Sequence, residues 1–137
     1  MISREVDYAL RCLVELVKKP KGEWVSTAEL SRELRVSRIY LAKIFQKLAK
    51  KGLLVSVKGK GGGVRLMRRN ISLTEVLTAL EPQFSLNKCL NKRFRCFRQE
   101  TCPIHSVLEQ VQQELFAKLS RYTLKRLAQG AYLKGGE

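Results

Sequence analysis

Two short helical patterns followed directly by a glycine-tipped hairpin pattern leave this chain few possible folds. Ser26 and Glu29 have the spacing of a capping box and predict a helix over residues 27–34. Ser37 is a favourable N-cap for a second helix, and Gly52 is a favourable residue at its end. Two short helices joined by about three residues are typical of a helix-turn-helix.

The hairpin pattern follows at once. Residues 53–57 predict a β-strand, residues 59–63 a flexible glycine-rich tip, and residues 64–67 the returning strand. A β-hairpin directly after the second helix indicates the wing of a winged helix-turn-helix, whereas a plain hairpin without nucleic-acid contact is the alternative. The glycines are not a nucleotide-binding loop, because the Gly-Lys-Ser/Thr ending of that loop is absent.

The charge of this segment predicts a polyanionic partner. The chain carries a net charge of +15, and residues 34–69 contain eleven basic residues and no acidic one. A solvated helix face mixes both signs because like charges repel, so a segment of one sign favours a surface that faces phosphates. Double-stranded DNA is the expected partner, and a membrane surface or a merely soluble basic face is the alternative. The basic residues are Arg35, Arg38, Lys43, Lys47, Lys50, Lys51, Lys58, Lys60, Arg65, Arg68 and Arg69.

The predicted DNA contacts lie at the start of the second helix and on the wing. The start of a recognition helix reaches base edges in the major groove, while a wing contacts the backbone or the minor groove. The apolar residues of the same helix (Leu41, Ile44, Phe45 and Leu48) are expected in the core. The predicted contacts are Ser37, Arg38, Ile39, Tyr40, Lys43 and Lys47 from the helix, and Lys58, Lys60 and Arg65 from the wing.

Helices are predicted on both sides of this unit. Apolar residues at spacings of three and four predict a helix over residues 2–18, in which Cys12 is expected to be a small buried side chain. A second capping box, Ser72 with Glu75, predicts the start of a helix that ends at Pro82.

The C-terminal part predicts a long helix that pairs with a second subunit. Its apolar stripe cannot be stable alone and needs a partner, and packing on its own domain is the alternative. Pro103 suits the first helical turn. The stripe consists of Ile104, Leu108, Val111, Leu115, Leu119 and Tyr122.

Residues 83–103 lack periodicity and contain three cysteines. Cys89, Cys96 and Cys102 are separated by six and then five residues, and His105 follows. Three thiols and an imidazole on one short segment can converge on a metal centre. Structural zinc usually has cysteine pairs about two to four residues apart, whereas wider gaps favour an iron–sulphur cluster. Zinc, a metal-free role, and a solvent-exposed His105 remain alternatives. Asp7, an oxygen donor, is a second candidate for the fourth ligand. Its alternative role is only to compensate the dipole of the first helix.

Taken together, these motifs resemble the IscR-type family of bacterial iron–sulphur cluster regulators. That family also includes nitric-oxide-sensing and cysteine-metabolism repressors. The resemblance runs over essentially the whole chain and implies a homodimer with paired C-terminal helices, one cluster site per subunit, and DNA affinity set by the cluster. It rests on residues 7–11 (Asp-Tyr-Ala-Leu-Arg), 40–45 (Tyr-Leu-Ala-Lys-Ile-Phe), 52–56 (Gly-Leu-Leu-Val-Ser), 61–63 (three glycines) and the three cysteines in order.

The resemblance also implies ligands. Cys89, Cys96 and Cys102 match the family's three cysteines. His105 matches the ligand of the assembly regulators, which hold a 2Fe-2S cluster, and Asp7 matches the carboxylate that nitric-oxide sensors contribute from the other subunit to a 4Fe-4S cluster. Of the two cluster types, we expect 2Fe-2S, with 4Fe-4S as the alternative. The chain departs from the family pattern in the six-residue gap after Cys89, where five is common, and in a wing without the usual Arg and aromatic residue.

We therefore expect a mainly α-helical winged helix-turn-helix with a small β-hairpin and a long C-terminal dimerisation helix. The expected units are a DNA-binding domain over residues 1–81, a cluster-binding loop over 82–103, the dimerisation helix over 104–130 and a flexible tail over 131–137.

The expected function is that of a dimeric, sequence-specific transcription regulator gated by an iron–sulphur cluster. The alternatives are a zinc-bound or metal-free repressor that responds to a small molecule or protein partner, and a basic electron carrier or cluster donor. We do not expect an enzyme, because the chain has a single histidine and no nucleophile elbow. The absence of a long apolar run and of a secretory signal pattern predicts no membrane span and a cytoplasmic location.

Overall fold

The computed structural model describes residues 2–59 and 63–130. Lys60 and the tail predicted over 131–137 lie outside the described residues. The fold is mainly helical with one two-stranded antiparallel hairpin, which confirms the predicted fold class. In chain order the elements are α1 (Arg4–Lys18), α2 (Thr27–Leu34), α3 (Arg38–Lys50), β1 (Leu54–Val57), β2 (Gly63–Leu66), α4 (Leu73–Leu80), a 3₁₀ turn (Lys88–Leu90), α5 (Pro103–Ser120) and α6 (Leu124–Ala128).

Serine side chains begin α2, α3 and α4, as the sequence predicts. The hydroxyls of Ser26, Ser37 and Ser72 each accept a hydrogen bond from the backbone N–H three residues on, at 3.1–3.2 Å. In α4 the Glu75 carboxylate completes the capping box by accepting from the backbone N–H of Ser72 at 2.8 Å. The expected reciprocal bond in α2 is wrong: the Glu29 carboxylate accepts from Lys19 Nζ instead.

The core lies between α1, α3, α4 and the inner face of the hairpin. The apolar face of α3 is buried as predicted, and so is Cys12 of α1. Leu124 of α6 reaches the same core, because α6 packs back against α1. Burying this face fixes the rotation of α3, and its opposite face is therefore held toward solvent.

The hairpin is joined to the helices by a third extended residue. Leu54 pairs with Leu66, and Val57 pairs with Gly63. Val25, just before α2, forms a bridge with Val64 through two hydrogen bonds of 2.8 and 2.9 Å. The wing is therefore anchored to the residues that precede the helix-turn-helix, not only to α3.

The C-terminal part contains two helices where the sequence predicts one over 104–130. The backbone N–H of Leu73 donates to the carbonyl of Tyr122 at 2.9 Å, and that of Leu124 donates to Ile71 at 2.8 Å. These bonds turn the chain back toward α4, and Thr123 then caps α6 by accepting from the N–H of Arg126. Within the described ranges, no helix combines the length and the apolar character needed to cross a membrane.

Candidate nucleic-acid interface and cysteine site

The solvent face of α3 is the centre of the candidate DNA interface. Because Leu41, Ile44, Phe45 and Leu48 hold the other face in the core, the exposed residues follow the helical period. Two of them are predicted cationic contacts, and one is an isoleucine that is 75% exposed. Ser37 is also exposed, but its hydroxyl already accepts the capping bond. The residues of this exposed face are Arg38, Ile39, Ala42, Lys43 and Gln46, and Lys47 and Lys50 are exposed nearer the end of the helix.

Two predicted contacts of α3 are engaged elsewhere in the chain. The Tyr40 ring lies edge-on to the Tyr8 ring of α1, with 5.7 Å between their centroids, and is half-buried. Lys47 Nζ donates to both carboxylate oxygens of Glu5, at 2.8 and 3.0 Å. Tyr40 and Lys47 therefore join the recognition helix to α1, and the charge of Lys47 is already compensated.

The wing presents two of its predicted contacts to solvent. Lys58 and Arg65 are exposed, and the Arg65 guanidinium stacks on the Trp24 ring at 4.6 Å from the centroid. This stacking restricts the orientations of Arg65, and no spacing rule would have singled out Trp24 as its support.

Two other basic residues of the segment have structural roles. Arg68 forms an ion pair with Glu75, and Arg69 donates to the backbone carbonyls of Val17 and Lys19. Arg68 is the main cause of a lowered pKa of the Glu75 carboxyl. The cationic surface left for DNA is therefore narrower than the sequence count suggests.

A groove of about 330 Å³ lies between the start of α2, α3 and the wing. It is lined by Ala42 and Gln46 of α3 and by Lys58 and Gly59 of the wing. Ala42 and Gln46 are absent from the predicted contacts. The sequence signal for them is their spacing: Ala42 and Gln46 follow Arg38 by one and two helical turns, and so lie on the same face of α3.

The three loop cysteines do not converge in the described residues. Within residues 2–59 and 63–130, no group of three His, Cys, Asp or Glu side chains is placed to hold a metal ion. Cys89 lies in the 3₁₀ turn, Cys102 is the N-cap residue of α5, and all four thiols are free. Cys89 and His105 line one cavity of about 430 Å³, whereas Cys96 and Cys102 are not among its lining residues.

The surroundings of His105 fit a metal ligand. Its imidazole is only 11% exposed, so it is not the solvent-facing helix residue of the alternative interpretation. Nε2 lies 3.8 Å from Glu109, and Nδ1 is buried without a hydrogen-bond partner among the described residues. A buried ring nitrogen without a partner is costly unless something binds it. Together with three free thiols, this donor set fits an iron–sulphur or zinc site in its chemistry.

The other two candidate ligands have different surroundings. Asp7 lies in the first turn of α1 and accepts a hydrogen bond from Arg11 Nε at 3.1 Å. Its side chain is about half exposed, so it is accessible to a second subunit. Cys12 is fully buried; burial raises the pKa of its thiol to about 12, and the nearby Glu15 carboxylate adds to the shift. Cys12 is therefore inert.

Comparison with known proteins agrees with this geometry. The Rrf2 family, described as an iron-dependent transcriptional regulator family, matches residues 2–130. The HTH-type transcriptional regulator NsrR of Shouchella clausii (strain KSM-K16) is 32% identical over 124 residues, which cover 88% of this chain and 83% of NsrR. T. potens IscR superposes with a TM-score of 0.74 at 21% identity, covering 100% of this chain and 93% of IscR. CymR, described as the global cysteine regulator of B. subtilis, superposes with a TM-score of 0.67 at 25% identity, covering 94% and 96% of the two chains.

Proposed function

The chain belongs to the Rrf2 family of transcriptional regulators, and from this premise we propose that it binds duplex DNA as a homodimer with an affinity set by an iron–sulphur cluster. Like the members of this family, it is a transcription regulator and not an enzyme. The observation that carries the proposal is the exposed face of α3, which lies within residues 34–69, a part of the sequence with eleven basic residues and no acidic one. We place this activity in the cytoplasm.

The DNA interface consists of α3 and the wing. Arg38 and Lys43 have no ion-pair partner among the described residues and lie on the exposed side of α3, so their charge is available to phosphates or base edges. Arg65, held on Trp24, and Lys58 contact the backbone or the minor groove beside it. Ser37 and Tyr40 orient the helix, and Lys47 contributes less than Lys43 because Glu5 compensates it.

The dimer forms through α5. This helix has no buried residue in the single chain, and it exposes Ile104, Val107 and Val111 at helical spacing. Phe116 and Leu119, further along α5, pack on the chain's own core instead. An exposed apolar stripe of this kind supports a contact with a second copy. The pairing sets the separation of the two recognition helices, for which paired half-sites require about 34–36 Å.

The cluster would be held by Cys89, Cys96 and Cys102. The fourth ligand would be His105 or, from the second subunit, the carboxylate of Asp7. Such a cluster would supply one-electron redox chemistry when bound. The buried, unpartnered Nδ1 of His105 and its shared cavity with Cys89 support this assignment. We favour a 2Fe-2S cluster through His105, because Asp7 already accepts a hydrogen bond from Arg11.

Contacts within the chain connect the cysteine loop to α3. The backbone N–H of Leu86 donates to the side chain of Gln112 on α5 at 2.8 Å. The hydroxyl of Thr74 on α4 donates to the carbonyl of Phe116 on α5 at 2.9 Å. Since α4 also packs against α3, ordering the loop against α5 fixes the base on which the recognition helix rests.

A metal-free or zinc-bound repressor that responds to a small molecule or protein partner is the second candidate. The lack of convergence of the thiols in the described residues favours the metal-free form, as does the likeness to CymR.

The proposal is tested with protein purified without oxygen. Iron and sulphide counts with visible absorption identify the group, because zinc is colourless. A selection from random duplex DNA then measures whether binding prefers a sequence. We expect a coloured protein, and a selected DNA sequence that contains two half-sites. Colourless protein without iron would favour the second candidate, and coloured protein without any preferred sequence would favour an electron carrier.

A further inference from the structure

Ile39 is the most exposed large aliphatic residue of the chain among those described. Its exposed fraction is 75%, although it is the second residue of α3 and lies between the exposed residues Arg38 and Lys43. Single exposed apolar residues are common on protein surfaces and need no explanation by themselves. The position of Ile39 is different, because it is the one large apolar side chain on a face that is otherwise suited to phosphates and polar base edges.

The side chain of Ile39 is also rigid. A β-branched residue in a helix has one strongly preferred χ1 rotamer, so its γ-carbons project in fixed directions. The helix below it is fixed in turn, because Ser37 caps it and Leu41 anchors it in the core. A rigid apolar group costs little conformational entropy when it is placed against a surface.

The major groove offers one apolar group, the 5-methyl of thymine. It distinguishes thymine from the other bases, and small apolar side chains contact it. Ile39 has no hydrogen-bonding group and thus cannot serve a phosphate or a polar base edge. On the basis of the proposed DNA binding, we propose that Ile39 reads the methyl group of one thymine in each half-site and is a specificity-determining residue.

The experiment replaces that methyl group alone. A preferred duplex is first selected with the full chain, and each thymine is then replaced in turn by deoxyuridine, which pairs identically but lacks the methyl. At one position per half-site we expect the replacement to weaken binding about three- to fivefold, the effect of exposing one methyl group to water. In Ile39→Ala the same replacement should change binding less than about 1.5-fold, because the contacting group is gone.

Two control variants separate readout from folding. Ile39→Val keeps the branched side chain and should keep the deoxyuridine penalty. Ile2→Ala removes an exposed apolar side chain before α1, outside α3 and the wing, and should leave the whole deoxyuridine profile unchanged. Because Ile39 is exposed, the melting temperatures of its variants should match that of the parent protein.

The outcomes distinguish this inference from the function on which it rests. A deoxyuridine penalty that vanishes only in Ile39→Ala supports the assignment. A selected site whose deoxyuridine profile is the same in the parent and in Ile39→Ala overturns the role of Ile39 and leaves DNA regulation intact. A selection that returns no preferred duplex contradicts the proposed function itself, and this inference with it.

Discussion

Gly63 shows how strongly one residue can constrain the wing. Its φ of +134° is unfavourable for other residues, and a Cβ there would overlap the backbone of Val25. Gly63→Ala should therefore lower the free energy of unfolding by roughly 2–4 kcal/mol, through both strain and displacement of the Val25 bridge. Gly52→Ala is the matched control, because Gly52 also has a positive φ but an open surrounding, and it should cost about 1 kcal/mol. Urea denaturation measures both; equal costs would contradict the close approach.

Glu75 gives the stability of the protein a dependence on acid pH. Its pKa is lowered from an ordinary 4.5, chiefly by the Arg68 guanidinium and also by the cap of Ser72. A lowered pKa means that the ionised carboxylate stabilises the fold above pH 4.5, and that this contribution disappears as the pH falls through the folded-state pKa.

Glu75→Gln tests this dependence while keeping a side chain that can still cap. At pH 7 the variant should be less stable than the parent by under about 1 kcal/mol, because the pair is partly exposed. The difference should shrink as the pH falls from 4.5 through the folded-state pKa of Glu75. Thermal unfolding across this range measures it, and a difference that grows in acid would contradict the assignment.

At the scale of elements, α3 and the wing should contribute to DNA binding in proportion to their free charge. Arg38→Ala and Lys43→Ala should each weaken binding across sequences and reduce the salt slope by about 1, since each releases roughly one counterion fewer. Lys47→Ala should change the slope less, because Glu5 already compensates Lys47. Lys125→Ala on α6, an exposed position outside α3, the wing and α5, is the control and should leave the slope unchanged. Titrations at several salt concentrations measure this, and an equal effect of Lys47→Ala would contradict the role of Glu5.

Local sequence signals predict where helices of this chain begin better than where the C-terminal helix ends. Ser26, Ser37 and Ser72 are caps in the sequence and in the structure, because capping depends on residues three positions apart. The break after Ser120 could not be predicted, because it depends on bonds between Tyr122–Leu124 and Ile71–Leu73, which are distant in sequence. The ion pair of Lys47 with Glu5 could not be predicted for the same reason, because the two residues are forty-two positions apart.

For the whole molecule, the exposed stripe of α5 predicts the state of association. The double variant Val107→Glu with Val111→Glu places two charges in the proposed interface and should convert a dimer into a monomer, since buried unpaired carboxylates are costly. Gln110→Glu changes the same helix at an exposed polar position and should leave the dimer intact. Analytical ultracentrifugation distinguishes the masses. A double variant that stays dimeric would place the interface elsewhere.

The family and the fold class were predictable from the sequence because their motifs are local, and both are confirmed. The arrangement of the cysteine site was not, and its ligands stay predictions. Cys89 and His105 share a cavity, but Cys96 and Cys102 do not line it. Spacing along a segment without periodicity gives no distance between the thiols, and a bound group or a second subunit supplies contacts that one chain does not contain.

The central claim is that a group held by Cys89, Cys96 and Cys102 controls DNA affinity. It is tested by titrating one selected duplex with two halves of a single oxygen-free preparation, one intact and one demetallated with a chelator, beside the Cys89→Ser variant as control. We expect dissociation constants that differ by about tenfold or more between the two halves, a coupling of ordinary allosteric size, and no such difference in Cys89→Ser. Identical affinities for the two halves of a coloured, iron-containing preparation would contradict it.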